Sequence, residues 1–287
     1  MFSESRLHHK INSGLLMAAI MFFTLLWCFI CVLSVPVGVV VDKSVEEIPH
    51  DSNCFTQGLE IHNGIMYESC GLYGRSSLRK VNMKTGKSIL TQTVSRELFA
   101  EGITIHNNTI YLLTWKAKKA LLYDLHSLTL KDTKHFSTPT GEGWGAATDG
   151  HSLIVSDGSD TITFFKIPSI NDGISLLTKV KEIKVYDPLN SRHIGLINEL
   201  EYVNGKLYSN VWYKDVILEI DPENGAITRR FDLTNLYPKQ QRIPNADCLN
   251  GIAYDPSDQH FILTGKKWPK YFRVNLTTYS YKKANDL

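Results

Sequence analysis

The sequence lacks the features that mark several functional classes of protein. Its net charge is only +2 over 287 residues and it has no basic stripe or basic motif, so we expect no nucleic-acid partner. The one Cys-x-x-Cys spacing, Cys28 and Cys31, lies inside the apolar amino-terminal run, and no His-x-x-x-His spacing occurs, which leaves a zinc site built from a local motif without support. No strong amphipathic helix pattern is present, whereas glycine and aromatic residues are plentiful. This composition favours many short strands separated by turns.

The amino-terminal region lacks charge. No charged residue stands between Lys10 and Asp42, and residues 15–33 are almost wholly apolar. About 20 apolar residues cross a bilayer, and the positive residues before this run place the amino terminus in the cytosol. A cleaved signal peptide stays open as the alternative, although its apolar region of roughly 7 to 15 residues would be shorter.

The predicted organisation is that of a single-pass type II membrane protein of the secretory pathway, in the endoplasmic reticulum or the Golgi. The predicted segments are a cytosolic tail (1–13), a transmembrane signal anchor (14–41), a linker (42–49) and a lumenal domain (50–287). Two Asn-x-Thr glycosylation acceptors, at Asn107 and Asn275, agree with a lumenal domain.

Cysteine is scarce, with five residues in the chain. Cys54 and Cys70 flank a predicted hairpin, where two strands are neighbours. In an oxidising compartment they are candidates for a disulfide. Two free core thiols are the alternative, because cross-strand geometry often does not suit the bond. Cys248 is left over.

One short motif recurs along the chain. It first reads Phe55-Thr56-Gln57-Gly58-Leu59, followed by a tight turn at Asn63-Gly64 and a returning strand. The other copies are Phe99-Ala100-Glu101-Gly102-Ile103, Gly143-Trp144-Gly145-Ala146, Ile197-Asn198-Glu199-Leu200 and Leu249-Asn250-Gly251-Ile252. Repetition at roughly 40 to 50 residues indicates a propeller or another array.

A second hairpin follows the first in each repeat, most clearly at residues 78–87 and 217–226. Two hairpins make a four-stranded antiparallel sheet, which is one propeller blade. We therefore predict an all-β fold, a five-bladed β-propeller of four-stranded antiparallel blades preceded by one transmembrane helix. Residues 170–194 are predicted to be an insertion between blades three and four, either an extra hairpin or a long loop.

The repeats place two rings of side chains at one mouth of the central channel. The residues at the start of each first strand are Gln57, Glu101, Trp144, Asn198 and Asn250. The residues at the end of each second strand are Gly71, Trp115, Gly158, Trp212 and Lys266. A few polar side-chain groups among aromatic rings are typical of a small-ligand pocket. The alternative is a structural plug, in which the amides satisfy one another and the indoles only pack between blades.

At these residues the chain resembles plant-type glutaminyl-peptide cyclotransferases, over residues 50–274. The motifs that carry the resemblance are Phe55-Thr56-Gln57-Gly58-Leu59, Phe99-Ala100-Glu101-Gly102-Ile103, Leu113-Thr114-Trp115, Glu142-Gly143-Trp144-Gly145, Asn198-Glu199-Leu200-Glu201-Tyr202, Asn210-Val211-Trp212 and Thr264-Gly265-Lys266 with Trp268-Pro269. The resemblance implies a five-bladed propeller, no cofactor for the chemistry, and a structural calcium in the channel whose ligands the sequence does not identify.

The resemblance also implies the reaction and the residues of the site. The amino-terminal glutamine of a peptide or protein would close on itself to give pyroglutamate, with loss of ammonia. The implied catalytic residues are Glu101, Lys266 and Asn198, and the implied substrate-binding residues are Gln57, Phe55, Phe99, Trp115, Trp144 and Trp212. We expect Glu101 to shuttle a proton from the attacking amine to the leaving nitrogen, and Lys266 to stabilise the oxyanion or supply the proton.

Two other functional classes stay open. A non-catalytic propeller would bind peptide termini or another small ligand at the same mouth. A calcium-dependent hydrolase would need a carboxylate-rich ring there, whereas this ring has one carboxylate, that of Glu101, with Glu199 and Glu201 nearby. This count favours the cyclase.

Overall fold

The computed structural model describes residues 39–40 and 45–276. The predicted cytosolic tail, and the predicted anchor apart from Val39–Val40, lie outside these residues. Within them, no helix is long and apolar enough to cross a bilayer.

The described chain is built of strands, with one 3₁₀ turn at Lys239–Gln241 as its only helical element. The strands in chain order are β1 (Val39–Val40), β2 (Glu46–Pro49), β3 (Phe55–His62), β4 (Ile65–Gly71), β5 (Ser77–Val81), β6 (Ser88–Thr93), β7 (Ala100–His106), β8 (Thr109–Thr114), β9 (Lys119–Asp124), β10 (Leu130–His135), β11 (Ala146–Thr148), β12 (Ser152–Ser156), β13 (Thr161–Lys166), β14 (Lys179–Lys184), β15 (Tyr186–Asp187), β16 (Arg192–His193), β17 (Ile197–Val203), β18 (Lys206–Val211), β19 (Val216–Ile220), β20 (Ile227–Asp232), β21 (Leu249–Asp255), β22 (His260–Gly265) and β23 (Lys270–Val274).

Five sheets form five blades, so the predicted propeller is confirmed. The blades are β3–β6, β7–β10, β11–β14, β17–β20 and β21–β23, the last completed by β2. The first strand of each blade contacts the first strand of the next, and β21 returns to β3, which closes the ring. The first hairpins turn as predicted, because Asn63-Gly64 and Asn204-Gly205 both have the positive φ angles of a type I′ turn.

The amino-terminal segment closes the propeller. Glu46–Pro49, predicted to be part of a linker, is instead the outer strand of blade five and pairs antiparallel with β23. Val39–Val40, counted in the predicted anchor, pairs in parallel with β20 at the edge of blade four. The sequence gives no signal for the closing strand, because only Ile48 of its four residues is buried. The backbone pairing covers an edge that blade five would otherwise expose.

The predicted insertion at residues 170–194 has two parts. Lys179–Lys184 is the fourth strand of blade three, paired antiparallel with β13. Tyr186–Asp187 and Arg192–His193 then form a small separate hairpin. The extra hairpin was one of the two predicted alternatives, whereas the outer strand was missed because only Ile183 among its residues is buried.

Apolar side chains fill the spaces between neighbouring blades. Five clusters of buried residues occur in the described chain, one at each seam between two blades. At the seam of blades one and two, for example, Leu78 packs with Ile103 and Leu112, all of them fully buried. Burial of each such side chain contributes about 1.5–3 kcal/mol to the free energy of unfolding. The propeller is therefore held mainly by packing between sheets.

A buried polar network joins the closing segment to blades one and five. His50 follows β2, and its Nε2 lies 3.0 Å from Glu68 Oε1 while its Nδ1 lies 2.6 Å from the carbonyl oxygen of Trp268. The hydroxyls of Thr56 and Tyr271 also donate to Glu68. Burial alone would raise the pKa of Glu68, but His50, the charge of Arg79 and the hydrogen bond from Thr56 more than offset it and lower that pKa. The network joins the segment that follows β2 to blades one and five at the seam where the ring closes.

Candidate functional site

A β-bulge interrupts the first strand in four of the five blades. The register shifts lie between Thr56 and Gly58, Ala100 and Ile103, Ile197 and Leu200, and Leu249 and Ile252. A bulge releases a residue from regular pairing and redirects its side chain. The released positions include Gln57, Glu101 and Asn198, which were predicted at the channel mouth. In blade three, Trp144 occupies the equivalent position just before β11.

At least one hydrogen bond crosses each seam beside these bulges. Five such bonds run from Ser69 Oγ to the Glu101 carbonyl, from Gly102 N to the Trp144 carbonyl, from Ser156 Oγ to the Asn198 carbonyl, from Gly251 N to Asn210 Oδ1, and from Asn250 Nδ2 to the Thr56 carbonyl. Together they form a closed circuit around the channel. The bulge backbone is therefore held by the neighbouring blade as well as by its own.

All nine residues predicted for the site line one cavity of about 240 Å³, which we call the cup. They are Phe55, Gln57, Phe99, Glu101, Trp115, Trp144, Asn198, Trp212 and Lys266. The structure adds Leu72, Tyr213 and Asp247, which the repeat alignment missed. Leu72 and Tyr213 directly follow ring positions of the alignment, whereas Asp247 lies on a loop that no other repeat shares.

Asn250, a member of the predicted ring, is not in the lining of the cup. Its Nδ2 donates to the Thr56 carbonyl at 3.0 Å and to Gln57 Oε1 at 3.3 Å. Gln57 in turn donates to the carboxyl of Glu101. Asn250 therefore supports the polar wall of the cup from behind.

Glu101 is a carboxyl group buried among aromatic rings, with only 4% of its surface exposed. Burial raises the pKa of Glu101 well above its usual range, and the negative charge of Glu142 raises it further. The Lys266 ammonium and the hydrogen bond from Gln57 oppose this rise without cancelling it. The carboxyl therefore binds a proton more readily than an exposed glutamate does.

Lys266 supplies a buried cation to the same cavity. It is 4% exposed, and its ammonium lies 4.9 Å from the centre of the Phe55 ring. Within residues 45–276 it forms no salt bridge, although its charge acts on Glu101. Its ammonium is therefore available to an oxygen or a developing negative charge on a ligand.

Asn198 presents an acceptor without a partner. The described residues contain three buried side-chain atoms that lack a hydrogen bond, Asn198 Oδ1, Asn210 Nδ2 and Asn250 Oδ1, and only Asn198 lines the cup. A buried carbonyl oxygen left unpaired costs about 1–3 kcal/mol. A ligand N–H group would remove this cost, so Asn198 is suited to hold an amine or an amide.

The aromatic walls form two packed groups of rings, one around Phe99 and one made by Trp144 and Trp212. Phe99 packs edge-on against Phe55 at 6.3 Å and Trp115 at 5.6 Å between ring centres. Trp144 and Trp212 meet edge-on at 5.3 Å. Small residues make room for these rings, since a Cβ on Gly71 would lie 2.3 Å from Phe99 and one on Gly158 would lie 2.6 Å from Trp144.

The two candidate cysteines are bonded to each other. Cys54 and Cys70 form a disulfide in the strand pair that begins with Phe55 and ends with Gly71. The bond also removes a potential metal ligand. Among the described residues, the one grouping of His, Cys, Asp and Glu close enough to hold a metal is His50, Cys54 and Glu68, and the Cys54 sulfur is already bonded.

Comparison with known proteins identifies relatives of the chain. The sequence model of the glutamine cyclotransferase family matches residues 33–276. A glutaminyl-peptide cyclotransferase from Arabidopsis thaliana is 36% identical over 244 residues, which are 84% of this chain and 73% of that protein. The crystal structure of Myxococcus xanthus glutaminyl cyclase superposes with a TM-score of 0.72 at 32% identity, over 84% of this chain and 97% of that one.

The space at Gly158 generates a prediction about Trp144. Gly158→Ala should displace the indole, because the new Cβ would overlap it, whereas Gly150→Ala meets no atom within 4 Å. The two glycines have similar φ angles, +79° and +85°, so both variants should lose about 1 kcal/mol of stability from backbone strain. Near-ultraviolet circular dichroism should change only for Gly158→Ala. Identical spectra for the two variants would contradict the assigned role of Gly158.

Proposed function

This chain belongs to the glutamine cyclotransferase family, and we propose that the cup is where it closes an amino-terminal glutamine on itself. In this reaction the α-amine attacks the side-chain amide carbon and forms a new C–N bond. The bond to the amide nitrogen then breaks, ammonia leaves, and pyroglutamate remains on the peptide. The observation that carries the assignment is that two buried charged side chains, Glu101 and Lys266, line the same aromatic cavity, and that Lys266 forms no salt bridge within residues 45–276.

The size of the cup suits a single terminal residue. Its volume of about 240 Å³ lies below the roughly 300–1,000 Å³ of pockets for drug-sized ligands. The reaction needs the amine held over the amide carbon, and a close-fitting cavity restricts the glutamine to such conformers. Water is not a reactant, so walls of indole and phenyl rings favour cyclisation over competing hydrolysis.

Glu101 is proposed to move the proton. An α-amine has a pKa near 8. Because the pKa of Glu101 is raised, the difference between the pKa values of the two groups is smaller. A proton therefore passes from the attacking amine to the carboxylate, and from the carboxyl to the leaving nitrogen, at a smaller free-energy cost. Gln57 holds the carboxyl in place through its hydrogen bond.

Lys266 and Asn198 are proposed to hold the reacting amide and amine. The amide oxygen gains negative charge when the amine attacks, and the Lys266 ammonium is the cation in the lining of the cup. The unpaired Oδ1 of Asn198 accepts an N–H of the substrate. Trp115, Trp144 and Trp212 form the walls and offer cation–π contact to a protonated amine.

The assay is ammonia release by the full-length chain from a short peptide that begins with glutamine, with the matching mass loss in the peptide. The same peptide with a blocked amine is the control substrate. Glu101→Gln should lower kcat by about a hundredfold or more, whereas Glu182→Gln, on the outer strand of blade three, should not. The wild type should lose activity as pH falls through the raised pKa of Glu101, since the carboxylate is the form that accepts a proton. Near-normal turnover by Glu101→Gln would contradict the shuttle.

A structural calcium is also proposed, with Glu60, Glu199 and Glu201 as the residues that would have to close around it, since their carboxyl oxygens do not all lie within 4.8 Å of one another in this structure. Glu199 of blade four accepts from Leu59 N of blade one, which is not a neighbouring blade, so its carboxylate reaches across the channel. Burial raises the pKa values of all three groups, that of Glu60 to about 8, and the negative charge of Glu60 raises those of Glu199 and Glu201 further. Carboxylate oxygens are preferred calcium ligands, and none of the three forms a salt bridge within residues 45–276.

Removal of calcium should therefore destabilise the propeller. A chelator should lower Tm by about 5 °C or more, the size expected for loss of a ligand present at a hundred times its Kd. Glu201→Gln should be insensitive to chelator, because it lacks one ligand, while Glu182→Gln should respond as the wild type does. A Tm that is the same with and without chelator in the wild type would exclude the calcium.

The domain is proposed to lie in the lumen of the secretory pathway, in the endoplasmic reticulum or the Golgi, anchored by the part of the predicted 14–41 segment that precedes Val39–Val40, because these two residues pair with blade four. The Cys54–Cys70 disulfide supports an oxidising compartment. Asn107 lies exposed in the turn between β7 and β8, where a glycan fits. Asn275, the other acceptor, is half-buried just after β23.

Expression in cells tests this topology. The full-length chain should resist alkaline extraction from membranes, because the apolar run spans the bilayer. Peptide-N-glycosidase should increase its gel mobility, and Asn107→Gln should reduce that shift, with Asn63→Gln as the matched hairpin-turn control. A chain extracted at alkaline pH and insensitive to the glycosidase would contradict both the anchor and the lumenal location.

A further inference from the structure

We propose that Glu142 is a positioning residue for cyclisation, which holds two tryptophans of the cup through one carboxylate oxygen. Its Oε2 accepts the indole N–H of Trp115 at 2.7 Å and that of Trp144 at 2.9 Å. Trp115 follows β8 of blade two, and Trp144 precedes β11 of blade three. A single carboxylate therefore joins two walls that different blades supply.

Glu142 is itself held in place before a ligand arrives. The hydroxyl of Thr138 donates to the Glu142 carbonyl at 2.7 Å, and the Glu142 amide donates to Thr140 Oγ1 at 3.2 Å. The next residue, Gly143, donates its amide to the Trp115 carbonyl at 3.0 Å. The loop and the indole are thus bonded through both backbone and side chain, so the acceptor is preorganised.

The bonds to Glu142 fix the rotation of the indoles. Trp115 and Trp144 have one polar atom each, and a partly buried indole N–H needs an acceptor. Without the carboxylate, each ring would turn to find another partner or would lose the bond. Because ring faces form the walls of the cup, a small rotation changes the space left for the substrate.

The charge of Glu142 has a second effect on the site. It is partly exposed and lies 4.0 Å from the exposed Lys116 ammonium, so its charge is only partly neutralised. This charge contributes to the raised pKa of Glu101. Glu142 thereby influences the proton shuttle without touching the substrate. The inference rests on the roles proposed above for Glu101 and the tryptophans.

Two substitutions of Glu142 separate position from charge. Glu142→Gln keeps an oxygen that accepts both indole N–H groups but removes the charge. Glu142→Ala removes both. The measurements are KM and the pH dependence of kcat with the glutamine peptide, with near-ultraviolet circular dichroism as a readout independent of turnover. Glu182→Gln removes a glutamate charge from blade three far from the indoles and is the control.

Glu142→Ala should raise KM by about tenfold to a hundredfold, because misplaced walls no longer orient the substrate, and should change the indole spectrum. Glu142→Gln should keep a KM and a spectrum close to wild type. In the same variant the acid limb of kcat should move to lower pH by about half a unit or more, since a negative charge near Glu101 is gone.

Three results would overturn the proposal. The first is that both variants match Glu182→Gln in KM, spectrum and pH profile. The second is that Glu142→Gln is as impaired in KM as Glu142→Ala, with an unmoved acid limb. The third is that the indole spectra of wild type and Glu142→Ala are the same, which would overturn the positioning role whether or not the protein is active. If the wild type releases no ammonia, the proposed function fails, and this spectral comparison still tests the positioning role. If Glu142→Ala does not fold, the Glu142→Gln pH profile and spectrum decide alone.

Discussion

The close approach of the five inner strands is the constraint on which the rest of the structure depends. A Cβ on Gly58 would lie 2.5 Å from the amide of Ile103 in the next blade, and one on Gly145 would lie 2.1 Å from the Asn198 carbonyl. Only glycine permits backbones to come this near. At this distance, hydrogen bonds cross every seam and fix the bulged backbone. Gln57, Glu101 and Asn198 therefore take their positions from two blades rather than one.

Because the inner strands pack this closely, the propeller buries polar and charged side chains that would be exposed to solvent in a less closely packed fold. Glu101, Lys266 and Asn198 are each at most 4% exposed, and Asn198 also leaves one oxygen unpaired. Such burial is costly, and the five apolar clusters at the seams supply the stability that tolerates it. The same burial shifts the pKa of Glu101 and leaves the charge of Lys266 unscreened. The burial that destabilises the fold is thus also what gives Glu101 and Lys266 their proposed catalytic properties.

Repetition made most of the site predictable, whereas its supports were not. The rings at Gln57 and Trp115 follow from aligning strands that start and end at one mouth of the channel. Glu142 occupies the repeat position of Phe55 and Phe99, but the repeats do not predict that its carboxylate accepts from indoles of two blades, because one of them, Trp115, lies 27 residues away. The closing strand Glu46–Pro49 has a similar cause, because its single buried residue gives no period-two pattern.

The sequence by itself determined the five-fold repeat, the hairpins at Asn-Gly turns and the residue types at the channel mouth. These features could be predicted because strand alternation and turn residues are local properties of the sequence, and each repeat shows them independently. Tertiary structure decided which groups share hydrogen bonds across seams, that Asn250 lies behind Gln57 rather than in the cup, and how strongly the surroundings of Glu101 shift its pKa. These properties depend on distances between blades, which are set only when the ring closes and every inner strand packs against two others.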